Sequence, residues 1–187
     1  CGPFAGLVGR KVDEQVESGV LRPIATEKLQ FVAPMLVVVK PSDVSRAKEL
    51  ANETLADSGS VDRFNQWAKE HGAEPVKVRL AVDLTASGTN RALETKPFAM
   101  TSVTDLTKLI TPGCWVATLD LRSCYHHYAV AEESRHLVHQ VDMKGGGYES
   151  RYVPFGLGLA PYFASFMAAQ AAECAAAQGI AVAFYID

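Results

Sequence analysis

Apolar runs that end on a carboxylate are the first pattern in this sequence. Residues 116–120 form a strand-like run that ends on Asp120, and residues 180–187 repeat the design and end on Asp187. Such a run is typical of a buried strand that delivers its acid at the edge of the core. Two carboxylates at the same level of a sheet can hold hard divalent cations, which prefer oxygen ligands.

The rest of the chain alternates short strands with helices. Apolar and β-branched patterns predict extended segments at 20–23, 31–40, 76–83, 128–131, 137–141 and 148–153. Helical spacing, capping residues and closing glycines predict helices at 11–18, 42–58, 61–71, 102–110 and 160–178. Pro34 favours an edge or a bend in its strand. The glycines at 145–147 favour a hairpin between two later strands.

The two helices predicted between residues 41 and 75 carry the acidic excess of the chain. Four Lys or Arg against seven Asp or Glu give this stretch −3, which equals the net charge of the whole chain. We interpret the pair as a solvated insertion that could be shortened without touching the core. A partner-binding role for it is the alternative.

The strand predicted at 76–83 has one basic and one apolar face. Lys77 and Arg79 alternate with Val76, Val78 and Leu80, and successive side chains of a strand point to opposite faces. A net charge of −3 is not typical of a nucleic-acid-binding protein. The basic face nevertheless gives an anionic ligand a local place to bind.

The composition is that of an ordinary globular chain. Of its 187 residues 48% are hydrophobic and 21% charged, and its apolar runs fall well short of the ~18 residues of a membrane span. The cysteines lack Cys-x-x-Cys spacing, which favours reduced thiols in an intracellular protein. The histidines at 126, 127, 136 and 139 fit no zinc spacing, so we expect structural or surface roles for them. Because the chain starts at Cys1 and stops at Asp187 directly after a strand-like run, we expect missing sequence on both sides.

Four blocks, in one order along the chain, resemble the reverse transcriptases of LTR retrotransposons, most closely the gypsy type. The blocks are residues 79–83 (RLAVD), 119–126 (LDLRSCYH), 153–161 (VPFGLGLAP) and 184–187 (FYID). They are similar to a fingers strand, the first catalytic motif, the loop that holds template and nucleotide, and the start of the Tyr-x-Asp-Asp motif. The resemblance covers about residues 11–187. Three features depart from it: the 41–75 pair, Cys124 where Gly is common, and Thr85 where Arg is frequent.

The resemblance implies an α+β fold of the right-hand polymerase type, incomplete at the C-terminus. An antiparallel palm sheet would have helices packed behind it and fingers inserted through it. The fingers would comprise roughly residues 1–95 and 128–160, with the helical insertion at 41–75. The palm would comprise roughly residues 96–127 and 161–187.

The activity that the resemblance implies is template-directed DNA synthesis from dNTPs on an RNA or DNA template. Two Mg²⁺ ions, for which Mn²⁺ can substitute, would be bound by Asp120, Asp187 and the backbone carbonyl of Leu121. Such a pair of ions stabilises the attacking and leaving oxygens of phosphoryl transfer. The second Asp of the motif would be residue 188, which this sequence lacks, so this fragment alone is expected to be inactive.

The resemblance also implies where the nucleotide lies. Tyr125 would lie under the sugar and exclude a 2′-hydroxyl by its bulk. Arg79 would contact the α-phosphate, and Lys40 would reach the γ-phosphate. The backbone N–H groups of Ser123 and Cys124 would contact the triphosphate. Phe155 would pack on the nucleotide, and Gly156 would permit close approach of template or nucleotide.

The implied partners are a template–primer and dNTP, without a membrane. In the full-length protein a thumb, an RNase H domain and a protease or integrase would be fused to this segment. Two other interpretations stay open. One is a decayed or domesticated reverse-transcriptase-like domain that binds nucleic acid or protein without catalysis. The other is the palm of an RNA-dependent RNA polymerase, against which Tyr125 and the block at 153–157 argue.

Overall fold

The structure is a computed structural model that describes residues 4–39, 45, 58–94 and 96–186. The helices with described bounds are α1 (Ala5–Glu17), α2 (Ser58–Glu70), α3 (Thr89–Ala92), α4 (Val103–Leu109) and α5 (Ala160–Ala176). The strands are β1 (Leu21–Pro23), β2 (Ala33–Val39), β3 (Val78–Val82), β4 (His139–Val141) and β5 (Gly147–Ser150). Short 3₁₀ helices span Thr26–Lys28, Cys124–His127 and Glu132–Val138.

The strands form one mixed sheet in the order β1-β5-β4-β2-β3. The β2–β4 pair is parallel and the others are antiparallel. Pro34 therefore lies in an inner strand, and the predicted edge position is wrong. It is tolerated because β2 changes partner there: Ala33 and Pro34 pair with β4, whereas Met35 onwards pairs with β3. The Pro34 carbonyl still accepts a bond from the N–H of Asp83 at 3.0 Å.

Helix α1 packs one face on this sheet and begins earlier than the predicted residue 11. Val8 and Val12, four positions apart, are buried in a cluster with Leu21, Met35 and Leu80. Residues at this spacing share a helix face. Burial of Val8 therefore extends the helix through a glycine-rich segment that its propensity alone does not favour.

Helix α2 is part of the core, so the expectation of a solvated insertion is wrong for this helix. Val61, Phe64 and Ala68 recur at helical spacing and pack with Val76 into a buried cluster. Partly buried side chains from α1 and β2, among them Leu7, cover that cluster. The acidic composition of 41–75 concealed three apolar positions on one face of a helix. Residues 40–44 and 46–57 lie outside the described residues.

The two acid-terminated runs are not strands in the described part of the chain. Residues 114–121 and 180–186 have no regular secondary structure, and Leu119 is 98% exposed. An apolar run becomes a strand only where a second strand satisfies its N–H and C=O groups. Among the described residues no strand pairs with either run. In the second run, Phe184 accepts the Thr101 N–H at 3.3 Å and donates its own N–H to the Thr101 hydroxyl at 3.1 Å, and Ile180 donates its N–H to Ala175 of the preceding helix at 3.1 Å.

Helix α5 keeps the predicted start, but it does not pack behind the sheet as expected. Ala160, Ala164 and Ser165 are its buried residues, whereas Phe166 and Met167 are exposed. Its strongest contact with another element is with the 3₁₀ helix Cys124–His127. Because α5 is apolar all round, its sequence does not define one face that must be covered.

The β4–β5 hairpin confirms the expected turn at the glycines. Asp142 accepts bonds from the N–H groups of Lys144 and Gly146, both at 2.8 Å. The predicted strand at 128–131 is reduced to one bridge between Ala129 and Tyr152. Residues 132–138 form a 3₁₀ helix in place of the predicted turn and of the first two residues of the strand predicted at 137–141; the rest of that strand is β4.

At the coarse level the fold is α+β, as expected. The sheet is mixed and not wholly antiparallel, and its strands all lie in segments assigned to the fingers. The described residues of 96–127 and 161–187 contain helices but no strand. In the described part of the chain, no helix is both long and apolar enough to cross a bilayer.

Candidate functional site

An aromatic cluster joins two of the predicted blocks. The rings of Tyr125 and Phe155 meet edge to face with centroids 4.8 Å apart. His126 approaches Phe155 from the same 3₁₀ helix at 6.1 Å, also edge to face. Such geometry is favourable because the positive edge of one ring meets the negative face of the other.

Strand β3 holds the loop that carries Phe155. The N–H of Val82 donates to the carbonyl oxygen of Phe155 at 2.7 Å. Gly156 follows with φ +110°, and a Cβ there would overlap the carbonyl oxygen of Val82. Gly156 therefore permits a close approach to the protein's own strand, and its role towards template or nucleotide stays a prediction.

Asn90 is a site residue that the sequence reasoning did not find. Its side-chain amide donates to the carbonyl of Gly156 at 2.8 Å and accepts from the N–H of Gly158 at 2.8 Å. A third bond, to the hydroxyl of Thr85, measures 3.2 Å. The available signal was weak, since an Asn soon after a loop glycine is more often a turn residue.

The turn before the 3₁₀ helix Cys124–His127 contains a residue in the left-handed conformation. Ser123 adopts the left-handed conformation at φ +53°, and its carbonyl accepts the N–H of His126 at 2.8 Å. Few residues other than glycine adopt this conformation, so the turn is sharp. Cys124 opens the 3₁₀ helix, and its side chain is partly buried there.

The ionisable groups of the aromatic cluster are uncharged at neutral pH. Burial raises the pKa of Tyr125, and the neighbouring Cys124 adds to the rise. Burial lowers the pKa of His126, and the positive charges of Lys11 and His127 lower it further. The cluster therefore offers a bound molecule aromatic surface, and charge must come from residues around it.

The cavity beside the cluster is too small for a nucleotide. It has a volume of about 10 Å³ and lies between His126, Phe155 and residues of the sheet. That is roughly the size of one water, whereas ligand pockets usually measure about 300–1,000 Å³. A nucleotide would therefore rest on the surface formed by Tyr125 and Phe155.

Arg79 lies on an exposed face of the sheet, as its alternation predicted. It pairs in register with Val38 of β2, and both side chains are exposed on one face with Leu36. An exposed guanidinium on an apolar strand pair can bind a phosphate while its stem covers apolar surface.

Only part of the predicted metal site, formed by Asp120, Asp187 and the Leu121 carbonyl, lies within the described residues. Asp120 and Leu121 are exposed, whereas Asp187 and Lys40 lie outside the described residues. Within the described ranges no group of three or more His, Cys, Asp or Glu side chains could hold a metal ion. Asp120 and the Leu121 carbonyl therefore do not form a ligand set by themselves, and Mg²⁺ binding stays a prediction.

The histidine at 139 has a structural environment. It is buried, and its Nδ1 accepts the N–H of Gln30 at 2.9 Å. Burial lowers its pKa, although the Glu149 carboxylate opposes that shift. Glu149 is itself buried and lies 2.9 Å from the guanidinium of Arg22. His139 thus joins the loop before β2 to the sheet, in accord with the expected structural role.

Comparison with models of known protein families gives no match, and comparison with curated proteins finds no similar sequence. The resemblance to reverse transcriptases therefore rests on the four ordered blocks in the sequence. Of these, the blocks around Tyr125 and Phe155 lie against each other in space.

Proposed function

We propose that the protein containing this chain is an RNA-directed DNA polymerase of the retroelement type. The reaction is attack of a primer 3′-hydroxyl on the α-phosphorus of a dNTP, with pyrophosphate as the leaving group. The right-hand polymerase architecture and the division into fingers and palm belong to this proposal.

The contact between Tyr125 and Phe155 carries the proposal. The two residues come from separate blocks of the sequence, and the resemblance in those blocks assigns both of them to the nucleotide. Their rings meet at 4.8 Å on one surface. A chance resemblance in two blocks gives no reason for them to meet, so the contact supports a common site.

Each residue has one task in this proposal. The Tyr125 ring excludes a 2′-hydroxyl, and Phe155 packs on the nucleotide. Arg79 contacts the α-phosphate, while N–H groups of the turn at Ser123 and Cys124 bind the triphosphate. Two divalent ions, when bound, neutralise charge on the phosphates. Asp120 is the described residue that would hold them.

Primer extension tests the proposal. The protein containing this chain is given an RNA template, a DNA primer, dNTPs and Mg²⁺. We expect extension, and we expect Asp120→Asn to reduce it on the order of a hundredfold because a neutral amide is a weaker ligand than a carboxylate for the divalent ions that neutralise the phosphates. Asp13→Asn, the same chemical change at an exposed position of α1, is the control and should extend normally. Full activity of Asp120→Asn would contradict the assignment.

The sugar side of the site is tested in the same assay. Tyr125→Ala should lower the preference for dNTP over rNTP about tenfold or more, since the bulk under the sugar is removed. Tyr125→Phe keeps the ring and should keep the preference. Template–primer binding without extension by the wild-type protein would instead favour the non-catalytic binding module.

A further inference from the structure

The side chain of Asn90 makes bonds normally made by a neighbouring strand. It donates to the carbonyl of Gly156 and accepts from the N–H of Gly158, each at 2.8 Å. Alternate residues of an extended segment present such a donor and acceptor to their partner strand. A single amide thus pairs with the loop at two points, where β3 has already ended at Val82.

We infer that Asn90 is a positioning residue that fixes the loop 155–158 and thereby sets the Phe155 ring against Tyr125. The inference rests on the proposed function in one respect, namely that this ring pair contacts the nucleotide. In that case Asn90 acts on dNTP binding and sugar choice without touching the substrate. The residue would determine the shape of the surface on which the nucleotide lies.

The amide is itself held in one orientation. Its second N–H donates to the Thr85 hydroxyl at 3.2 Å, and the backbone N–H of Asn90 donates to Leu84 at 2.9 Å. Both amide donors and the amide oxygen are thus used. The orientation is fixed because exchanging the nitrogen and oxygen would set like groups against Gly156 and Gly158.

The loop is held by β3, by one apolar side chain and by Asn90. Phe155 accepts the Val82 N–H, and Leu157 packs against a buried cluster that includes Val82. Among the described residues, the side-chain hydrogen bonds to Gly156 and Gly158 come from Asn90. Loss of the amide would leave these two glycines, whose backbones are the most permissive in the loop, without those bonds, and the Phe155 ring would be less firmly set.

The chain contains a matched control. The side-chain amide of Asn65 in α2 also donates one hydrogen bond to the backbone and accepts another. It donates to the Val76 carbonyl at 3.3 Å and accepts the Val76 N–H at 2.7 Å. Val76 belongs to the α2 cluster and not to the aromatic cluster. Asn65→Ala therefore removes an equivalent amide away from Tyr125 and Phe155.

Hydrogen exchange by NMR tests the positioning without any nucleotide. In Asn90→Ala we expect the Gly158 N–H to exchange about tenfold faster or more, with the Val76 N–H unchanged, since the Gly158 N–H loses its acceptor. Asn65→Ala should do the reverse. Unchanged exchange at Gly158 in a folded Asn90→Ala protein would overturn the inference. If Asn90→Ala does not fold, Asn90→Leu, whose side chain has a similar volume but neither donor nor acceptor, should show the same faster exchange at Gly158, and unchanged exchange there would overturn the inference.

Steady-state extension tests the consequence for the nucleotide. Asn90→Ala should raise KM for dNTP roughly tenfold with a small change in kcat, because binding is lost and not the chemical step. It should also lower the dNTP-to-rNTP preference, whereas Asn65→Ala should leave both unchanged. Faster exchange at Gly158 with unchanged KM and preference would overturn the role towards the nucleotide. An inactive wild-type protein would instead overturn the proposed function, and the exchange result alone would then decide whether Asn90 positions the loop.

Discussion

Gly156 is the residue at which the fold permits the least variation. It combines a φ of +110° with direct packing on the Val82 carbonyl. The first condition strains any residue with a Cβ, and the second leaves no space for that atom. The contacted backbone atoms belong to Val82, the buried last residue of β3, which pairs with Met35 of β2.

Gly156→Ala should lower the free energy of unfolding by about 3 kcal/mol or more, from backbone strain together with overpacking. Urea denaturation measures this change, provided that the slope of the unfolding free energy against urea concentration is the same in both proteins. Gly145→Ala is the control, because Gly145 has a φ of +86° but no atom within 4 Å of the added Cβ. It should cost about 1 kcal/mol from backbone strain alone. Equal losses for the two variants would show that contact with Val82 is not the cause.

At the level of single residues, the sequence singles out those that lie in a recognisable local motif. The pairing of Tyr125 with Phe155 on one surface agrees with the roles given to both. Gly156 was identified from its motif, and the structure adds a contact with Val82 that the motif does not record. Asn90 was missed because its partners lie in another loop, and no local pattern around Asn90 records them.

Helix α2 shows how composition can mislead at the level of an element. Its segment is acidic, yet Val61, Phe64 and Ala68 are each at most 2% exposed. Their spacing of three and four residues is the signal of a buried helix face. Weighing that periodicity above net charge would have assigned α2 to the core. By contrast, the helix start predicted at residue 102 is confirmed: of the two candidate caps, Ser102 and Thr104, it is the Ser102 hydroxyl that accepts the Asp105 N–H, at 3.1 Å.

Phe64→Ala should therefore destabilise the protein by about 3–5 kcal/mol, the range for removing a buried aromatic side chain. The ring packs on Trp67 with centroids 5.8 Å apart and fills the centre of the α2 cluster. Lys69→Ala, at an exposed position of the same helix, should change stability by less than about 0.5 kcal/mol. Thermal or urea unfolding measures both. A change for Phe64→Ala as small as the control would restore the view of α2 as a solvated insertion.

At the scale of the molecule, one part of the described chain shares a buried core and another part is exposed and irregular. The sheet, α1 and α2 share buried clusters, whereas Trp115, Val116 and Leu119 are exposed in an irregular segment. Local periodicity correctly located the apolar runs, but a strand also needs a pairing partner, which periodicity does not identify. For this reason the described fold agrees with the sequence in β2, β3 and the hairpin, and departs from it at 114–121 and 180–186.

This division predicts uneven hydrogen exchange. Residues 115–121 make no backbone hydrogen bond to another segment in the described ranges, so their N–H groups should exchange at nearly the rate of an unstructured peptide. The N–H groups that join β2 to β3 should exchange at least about a thousandfold more slowly, because they open only with much of the sheet. Mass spectrometry of exchanged peptides separates the two regions directly.

The same measurement connects this uneven stability to the proposed function. If Asp120 and Leu121 bind ions and nucleotide, adding template–primer, dNTP and Mg²⁺ should slow exchange at 115–121 about tenfold, since binding selects the ordered form of the segment. Asp120→Asn under the same conditions should show less slowing, which separates binding at the acid from general contact with nucleic acid. Strong protection of the 115–121 N–H groups from exchange in the free protein would contradict the exposed, irregular conformation of this segment. Equal slowing in the wild-type and variant proteins would contradict the role of Asp120, because the segment would then order without its carboxylate.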